Sequence, residues 1–149
     1  MKVGLVGSSG GHLTHLYKLK PFWSSKERFW VTFDKEDANS LLEGEKVYNC
    51  YYPTNRNIKN LIRNTFVAVK VLRKEKPDLL VSTGAAVAVP FYYFAKLMRK
   101  KVIFIEVYDR IDKPSLTGRM VYPIADVFIV QWKELLEFYP KATYIGGIF

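Results

Sequence analysis

The stretch Gly7-Ser8-Ser9-Gly10-Gly11-His12 decides the expected fold, because it joins a short apolar strand (2–7) to a helix (12–19). A glycine-rich turn of this kind leaves backbone N–H groups free at the helix amino terminus, where the helix dipole adds roughly half a positive charge. The turn therefore predicts a site for phosphate or diphosphate at Ser8, Ser9, Gly10 and Gly11. The alternative is a structural turn whose glycines only permit close packing.

The turn departs from the fingerprint of nicotinamide dinucleotide sites, which reads G-x-G-x-x-G. Gly4, Gly7 and Gly10 are each separated by two other residues, so no G-x-G occurs in the turn. Asp34 follows the second strand, where a ribose-binding carboxylate would lie, but many strands of βαβ units end on Asp. Nicotinamide chemistry therefore remains only a minor alternative.

Strand and helix patterns alternate along the rest of the chain, which predicts an α/β fold with a Rossmann-like, mostly parallel sheet and helices on both faces. We expect a single domain over residues 1–149. The further strands are predicted at 28–33, 46–52, 78–82, 102–107, 126–131 and 142–145, and the helices at 37–42, 58–76, 85–99, 115–124 and 132–139. Ligands of such sheets bind beyond the carboxyl ends of the strands. The predicted cleft is therefore lined by 7–12, 52–57, 82–84 and 106–110.

Composition places the chain among ordinary globular proteins, because 49% of its 149 residues are hydrophobic. Cys50 is the only cysteine, so no intramolecular disulfide can form. One cysteine and two histidines offer no metal-ligand cluster, and no metal is expected. The amino terminus passes directly into a strand without a signal peptide, and together these features predict a cytoplasmic protein.

The net charge of +9 is concentrated in one third of the chain. Residues 56–101 hold eleven Lys and Arg against Glu75 and Asp78, whereas the rest of the chain carries twelve of each sign. Such a basic region suits nucleic acid, anionic lipid or a phosphorylated substrate. Nucleic acid is not favoured, because the Tyr and Phe residues follow core periodicity and no stacking motif of the RNA-binding type is present.

The predicted helix 58–76 is amphipathic at 100° per residue. The face expected to pack on the sheet consists of Ile58, Leu61, Ile62, Phe66, Val69 and Leu72. A separate stripe consists of Lys59, Arg63, Lys70 and Lys74, bordered by Val67 and Val71. A basic stripe bordered by apolar side chains predicts contact with an anionic membrane surface. The alternative is a solvated helix face with two incidental valines.

A family resemblance rests on seven segments: GSSGGH (7–12), KPDLLVSTG (76–84), VIFIE (102–106), SLTGR (115–119), YPIAD (122–126), FIVQW (128–132) and YIGGIF (144–149). In this order and spacing they resemble the acceptor-binding subunit of two-component N-acetylglucosaminyltransferases of lipid-linked sugar assembly. Bacterial members are PssD- or CpsF-like proteins of capsule and exopolysaccharide synthesis, and the eukaryotic member acts on dolichol diphosphate. A more distant likeness is to the amino-terminal half of MurG.

The resemblance implies the amino-terminal, acceptor-binding half of a glycosyltransferase-B fold, with a lipid-diphosphate-linked saccharide as acceptor. A PssE-like partner chain is then expected to supply the donor domain and to hold the UDP-sugar, so this chain binds no cofactor and is inactive alone. The eukaryotic subunit has a membrane anchor before its first strand, and this chain shows none. Peripheral attachment to the inner face of the cell membrane is therefore expected. The alternative is a non-catalytic adaptor that recruits and enhances a partner transferase.

Sugar transfer with inversion needs a base for the acceptor hydroxyl, and the resemblance places two candidates in the cleft, His12 and Glu106. His12 could instead order the glycine turn or donate to an acceptor phosphate, and Glu106 could be a structural carboxylate paired with Arg110 or Arg119. A second strand–turn–helix anion site is expected at Ser82, Thr83 and Gly84, with Arg110 as a further acceptor-binding residue.

The carboxyl terminus is the expected docking element for the partner, through Gly146, Gly147, Ile148 and Phe149. The two glycines permit close backbone approach, and the last two side chains are apolar. The alternative is a terminus that packs into the domain's own core.

Overall fold

The computed structural model describes residues 1–54 and 56–147, which form one parallel sheet with helices on both faces. The strands are β1 Lys2–Gly7, β2 Glu27–Phe33, β3 Val47–Cys50, β4 Leu79–Gly84, β5 Lys101–Ile105, β6 Val127–Val130 and β7 Thr143–Tyr144. The helices are α1 Gly11–Tyr17, α2 Lys20–Trp23, α3 Glu36–Leu41, α4 Ile58–Glu75, α5 Ala88–Leu97 and α6 Leu116–Val121, with a 3₁₀ helix at Lys133–Glu137.

The strand order is β3-β2-β1-β4-β5-β6-β7, and each pair of neighbouring strands is parallel. The Rossmann-like fold expected from the sequence is therefore confirmed. The element ends differ from the prediction by a few residues. The predicted helix 12–19 corresponds to α1, the following helix α2 was not predicted, and the last predicted helix is a short 3₁₀ helix.

Two hydrophobic cores lie on opposite faces of the sheet, because successive strand residues point to opposite sides. Phe29 and Val31 pack on the face that α4, α5 and α6 cover, whereas Trp30 packs on the face of α1, α2 and α3. All three side chains are fully buried. Because every strand runs in the same direction, their carboxyl ends lie along one edge of the sheet.

The orientation of α4 differs from the sequence prediction. Its apolar residues Ile58, Leu61, Ile62 and Phe66 are exposed, with Ile58 and Phe66 each at 73%. Its core-facing residues are Asn60, Asn64, Ala68, Val71, Leu72 and Glu75. The predicted core face was therefore wrong for the first half of the helix. The prediction that Val67 and Val71 border an exposed basic stripe was also wrong, because Val71 is buried and Val67 is half-buried. Only Leu72 of the predicted core face is fully buried.

Hydrogen bonds to the β3–α4 loop explain why α4 buries two asparagines. The Asn64 side chain accepts from the Tyr51 N–H at 2.8 Å and donates to the Tyr51 carbonyl at 3.1 Å. The Asn60 side chain donates to the Pro53 carbonyl at 2.8 Å. Since buried backbone groups need partners, these amides stabilise a loop whose own backbone pairs with no strand at those positions.

A buried carboxylate, Glu75, ends α4 within a cluster of donors. Its oxygens lie 2.8 Å from Lys46 Nζ and 3.0 Å from Lys2 Nζ, and Tyr48 OH donates to it as well. Burial alone would raise the pKa of Glu75, but the bonds from Lys46, Tyr48 and Lys2 outweigh it and lower the pKa to about 2. The charged carboxylate is therefore the form that the fold stabilises.

We expect Glu75→Gln to lower the free energy of unfolding by about 2 kcal/mol at neutral pH. Because the folded-state pKa is depressed, this contribution is present above the ordinary carboxylate range and is lost as the pH falls toward 2. Urea unfolding at neutral and acid pH measures it. Glu43→Gln, at an exposed position, is the control, and an equal effect of both substitutions would contradict the prediction.

Candidate functional site

A cavity of about 700 Å³ lies at the carboxyl ends of the strands. All four segments that the sequence predicts contribute to its lining, and residues 33–35 and 115–117 add two walls that the sequence did not indicate. Its lining consists of Ser8, Ser9, His12, Phe33, Lys35, Tyr52, Pro53, Thr54, Arg56, Gly84, Ala85, Ala86, Val107, Asp109, Arg110, Ser115, Leu116 and Thr117.

His12 lies in the cavity wall with its ring fixed from two sides. Its Nδ1 is 3.2 Å from the Thr83 carbonyl, so Nδ1–H donates there and Nε2 keeps a free lone pair in the neutral ring. Gly84 has φ +133°, and a Cβ on it would lie 2.8 Å from His12 Cε1. Burial lowers the pKa of His12, against the opposing influence of the Thr83 carbonyl and of Asp109 and Glu106. The lowered pKa favours the neutral ring at physiological pH.

The amino-terminal glycine turn does not present all the N–H groups expected of an anion site. The Gly10 N–H donates to Asp37 Oδ2 at 2.9 Å, so a carboxylate from α3 already occupies that donor. Ser8 and Ser9 line the cavity, whereas Gly10 and Gly11 do not. These two glycines therefore do not contribute to the described lining, and their role in anion binding stays a prediction.

The second expected anion site is also built differently from the prediction. Ser82 and Thr83 are fully buried and do not line the cavity. Ser82 Oγ accepts from the Gly84 N–H at 3.0 Å, and Thr83 Oγ1 donates to the His12 carbonyl at 2.7 Å. The two hydroxyls therefore hold Gly84 and His12 in place, and only Gly84 of this triplet reaches the cavity.

Glu106 is fully buried behind the cavity wall and is not among the lining residues. Its Oε1 accepts from Ser115 Oγ at 2.6 Å, and its Oε2 accepts from the Ser115 N–H at 3.0 Å and from Tyr139 OH at 2.9 Å. Burial first, and then the neighbouring carboxylate, raise the pKa of Tyr139 and keep the phenol protonated. Gly118 leaves space for Glu106 Oε2, which a Cβ at that position would contact.

This bonding makes Glu106 a structural support of the site. It fixes Ser115 at the amino terminus of α6, and that segment presents Ser115, Leu116 and Thr117 to the cavity. The expected pairing with Arg110 or Arg119 does not occur among the ion pairs of residues 1–54 and 56–147. Because its carboxylate is enclosed, Glu106 does not contact the cavity as a base in this structure.

The charged lining of the cavity is mainly cationic. Lys35, Arg56 and Arg110 come from the segments after β2, β3 and β5, and Asp109 is the one carboxylate among the described lining residues. Arg110 was expected here. Asp109 lies within the predicted cleft segment 106–110 but was not named as a site residue. Lys35 was missed, although it lies two residues after the predicted strand 28–33, and that position was the available signal.

The carboxyl-terminal segment follows the edge strand β7. Gly146 has φ +79°, and a Cβ on Gly147 would lie 3.2 Å from the Tyr108 ring, so Gly147 packs close to Tyr108. Tyr144 and Ile145 are about half exposed, at 47% and 53%. Ile148 and Phe149, the other two expected docking residues, lie outside the described residues.

Solved structures share this fold at low sequence identity. MurG from Acinetobacter baumannii superposes with a TM-score of 0.74 and 18% identity over 89% of this chain and 42% of that one. UDP-N-acetylglucosamine 2-epimerase from Rickettsia bellii superposes with a TM-score of 0.76 and 16% identity over 94% of this chain and 41% of that one. The chain thus spans less than half of either structure. Its class is the Rossmann-like half of a glycosyltransferase-B-type fold.

The family is identified by sequence. Residues 24–148 match the family described as "Oligosaccharide biosynthesis protein Alg14 like", and the chain belongs to it. The UDP-N-acetylglucosamine transferase subunit ALG14 of Yarrowia lipolytica is 40% identical over 97% of this chain and 80% of its own length. The human subunit of the same name is 28% identical over 99% of this chain and 83% of its own length. The resemblance to the eukaryotic subunit is therefore confirmed.

Proposed function

We propose that this chain is the acceptor-binding subunit of a two-component transferase. The enzyme moves N-acetylglucosamine from its UDP-sugar to a lipid-diphosphate-linked saccharide. The observation that carries the proposal is the cavity that combines a neutral, oriented His12 with three cationic side chains, in a chain whose relatives are named UDP-N-acetylglucosamine transferase subunits. Capsule or exopolysaccharide assembly is the pathway that the bacterial resemblance suggests.

In the proposed reaction His12 acts as the general base. The acceptor hydroxyl oxygen attacks the anomeric carbon of the donor, its proton passes to His12 Nε2, and the anomeric C–O bond to UDP breaks with inversion. The hydrogen bond from Nδ1 to the Thr83 carbonyl holds the required tautomer and stabilises the ring as it gains the proton. Glu106 acts as a positioning residue, through Ser115 and α6.

The donor site belongs, in this proposal, to a PssE-like partner chain that binds the UDP-sugar. The matched part is 42% of the MurG chain and 41% of the epimerase chain, so each of those proteins also contains a part that this chain does not match. We propose that the docking element is the segment Gly146, Gly147, Ile148 and Phe149, which follows the edge strand β7 in the sequence. The exposed Tyr144 and Ile145 of the same edge support this placement.

The membrane-facing surface that we propose is the outer face of α4. Ile58, Leu61, Ile62 and Phe66 form its apolar part, and the exposed Lys59, Arg63, Lys70 and Lys74 form its basic part. This arrangement suits a helix that lies in the interface of an anionic membrane. No helix among the described residues is long and apolar enough to cross a bilayer. We propose that this face of α4 holds the protein peripherally on the cytoplasmic face of the cell membrane.

A reconstitution experiment tests the proposed function. We expect the purified chain to transfer no sugar from UDP-N-acetylglucosamine to a prenyl-diphosphate-linked saccharide, because we propose that the donor site lies on the partner chain. Addition of the partner chain should restore transfer. Turnover by this chain alone would contradict the split enzyme. An adaptor would be indicated if transfer by the partner survived every substitution in the cavity.

A further inference from the structure

Three cations of the cavity have no anionic partner among the described residues. Lys35, Arg56 and Arg110 line the cavity from three separate loops, and none of them forms an ion pair within residues 1–54 and 56–147. Lys35 Nζ instead lies 4.6 Å from the centre of the Tyr52 ring. Three cations against the single carboxylate of Asp109 in the described lining suit a ligand of negative charge, and a diphosphate is such a ligand.

The two glycine turns are less available to that ligand than their sequence indicates. The Gly10 N–H is bonded to Asp37, and the Gly84 N–H is bonded to Ser82. A phosphate at Gly10 would also meet the negative charge of Asp37, which repels it. Binding of an anion in the cavity therefore depends on side-chain cations more than on these two backbone donors.

Arg56 stands at the junction of the cavity and the exposed surface of α4. Its loop is tied to the helix by Asn60 and Asn64, through Pro53 and Tyr51. The exposed apolar surface begins at Ile58, two residues further along the chain. A group held by Arg56 thus lies beside a surface that suits hydrocarbon, which matches a molecule with a diphosphate joined to a prenyl chain.

We propose that Lys35, Arg56 and Arg110 form the diphosphate-binding subsite of the acceptor, with Arg56 on the side toward its lipid chain. This inference rests on the proposed function for the identity of the acceptor. It differs from the expected anion sites at the glycine turns, because it assigns the charge recognition to residues 35 and 56, which carry no family motif.

Isothermal titration of the purified chain with geranyl diphosphate and with inorganic pyrophosphate tests the subsite. We expect both to bind, geranyl diphosphate the more tightly, because only it can also use the apolar surface. Arg56→Gln and Arg110→Gln should each weaken both ligands about tenfold or more, since each removes charge-assisted hydrogen bonds. Arg73→Gln, at an exposed position of α4, is the matched control and should leave both affinities unchanged.

Three results would overturn the subsite. The first is that neither ligand binds, and the second is that wild type and both cavity variants bind the ligands with equal affinity. The third is that Arg73→Gln loses as much affinity as the cavity variants. Thermal unfolding of each variant checks that the fold is intact. Sugar transfer by the reconstituted complex is measured separately, so a complex that transfers sugar while Arg56→Gln binds geranyl diphosphate normally contradicts the subsite and not the proposed function.

Discussion

His12→Ala is expected to lower kcat of the reconstituted transferase about 10²–10⁴-fold, the usual effect of removing a general base. The acceptor KM should change little, because the cationic side chains that we propose for acceptor binding remain. In wild type, transfer should fall as the pH drops through the pKa of His12, since only the neutral ring accepts a proton. Burial lowers that pKa, so the acid limb should lie below the usual histidine range. Initial rates over acceptor concentration and pH measure both effects.

Two further variants distinguish the role of His12 from the roles of Gly84 and Glu106 beside it. Gly84→Ala keeps the imidazole but places a Cβ 2.8 Å from His12 Cε1, at a φ that alanine rarely adopts, and should therefore reduce kcat as well. Glu106→Gln should lower Tm and reduce transfer modestly, because its bonds to Ser115 and Tyr139 are structural. Loss of the Glu106 charge, which raises the pKa of His12, should also move the acid limb to lower pH. A folded Glu106→Gln enzyme without turnover would assign the base to Glu106, and unchanged kinetics of His12→Ala would favour the adaptor.

The fold could be predicted from sequence because local signals and topology agree. The glycine turn after β1 and the repeated strand–helix alternation leave few arrangements for a parallel sheet. The order of strands then places the loops after β1, β3, β4 and β5 around one cavity, as expected. His12 could be placed for the same reason, since it lies in the first turn of the helix that follows the first strand.

The roles of individual polar residues could not be predicted, because a hydroxyl or carboxylate at a strand end can face either a ligand or the protein backbone. Ser82, Thr83 and Glu106 all lie at the carboxyl edge of the sheet, yet each side chain bonds to neighbouring protein groups. Lys35 carries no motif, and its place in the cavity follows from the packing of β2 beside β1.

The face of α4 was predicted wrongly for a physical reason. A prediction from amphipathicity assumes that the most apolar stripe of a helix faces the core. Here Asn60 and Asn64 face inward because the β3–α4 loop needs their amides, and the apolar residues of the same turns are left outside. Such a choice depends on contacts between a loop and a helix that no local pattern encodes.

Substitution of the exposed apolar residues of α4 is expected to have the second large effect, a loss of membrane binding. Ile62→Ser combined with Phe66→Ser should weaken binding to anionic vesicles about a hundredfold, because burial of each side chain contributes about 1.5 kcal/mol or more. Replacement of Lys59, Arg63, Lys70 and Lys74 by Gln should also weaken binding, by about 1 kcal/mol for each residue, and this loss should fade at high salt.

Vesicle sedimentation at low and high salt distinguishes the two contributions. The apolar variant should bind weakly at both salt concentrations, since burial of hydrocarbon is not screened by ions, whereas wild type should keep the apolar part of its affinity at high salt. Phe138→Ser is the control, because Phe138 is 43% exposed and follows the 3₁₀ helix rather than lying on α4. If the α4 double variant sedimented with vesicles as fully as Phe138→Ser, the membrane would contact another surface. The exposed apolar face of α4 would then have to bind a protein partner instead.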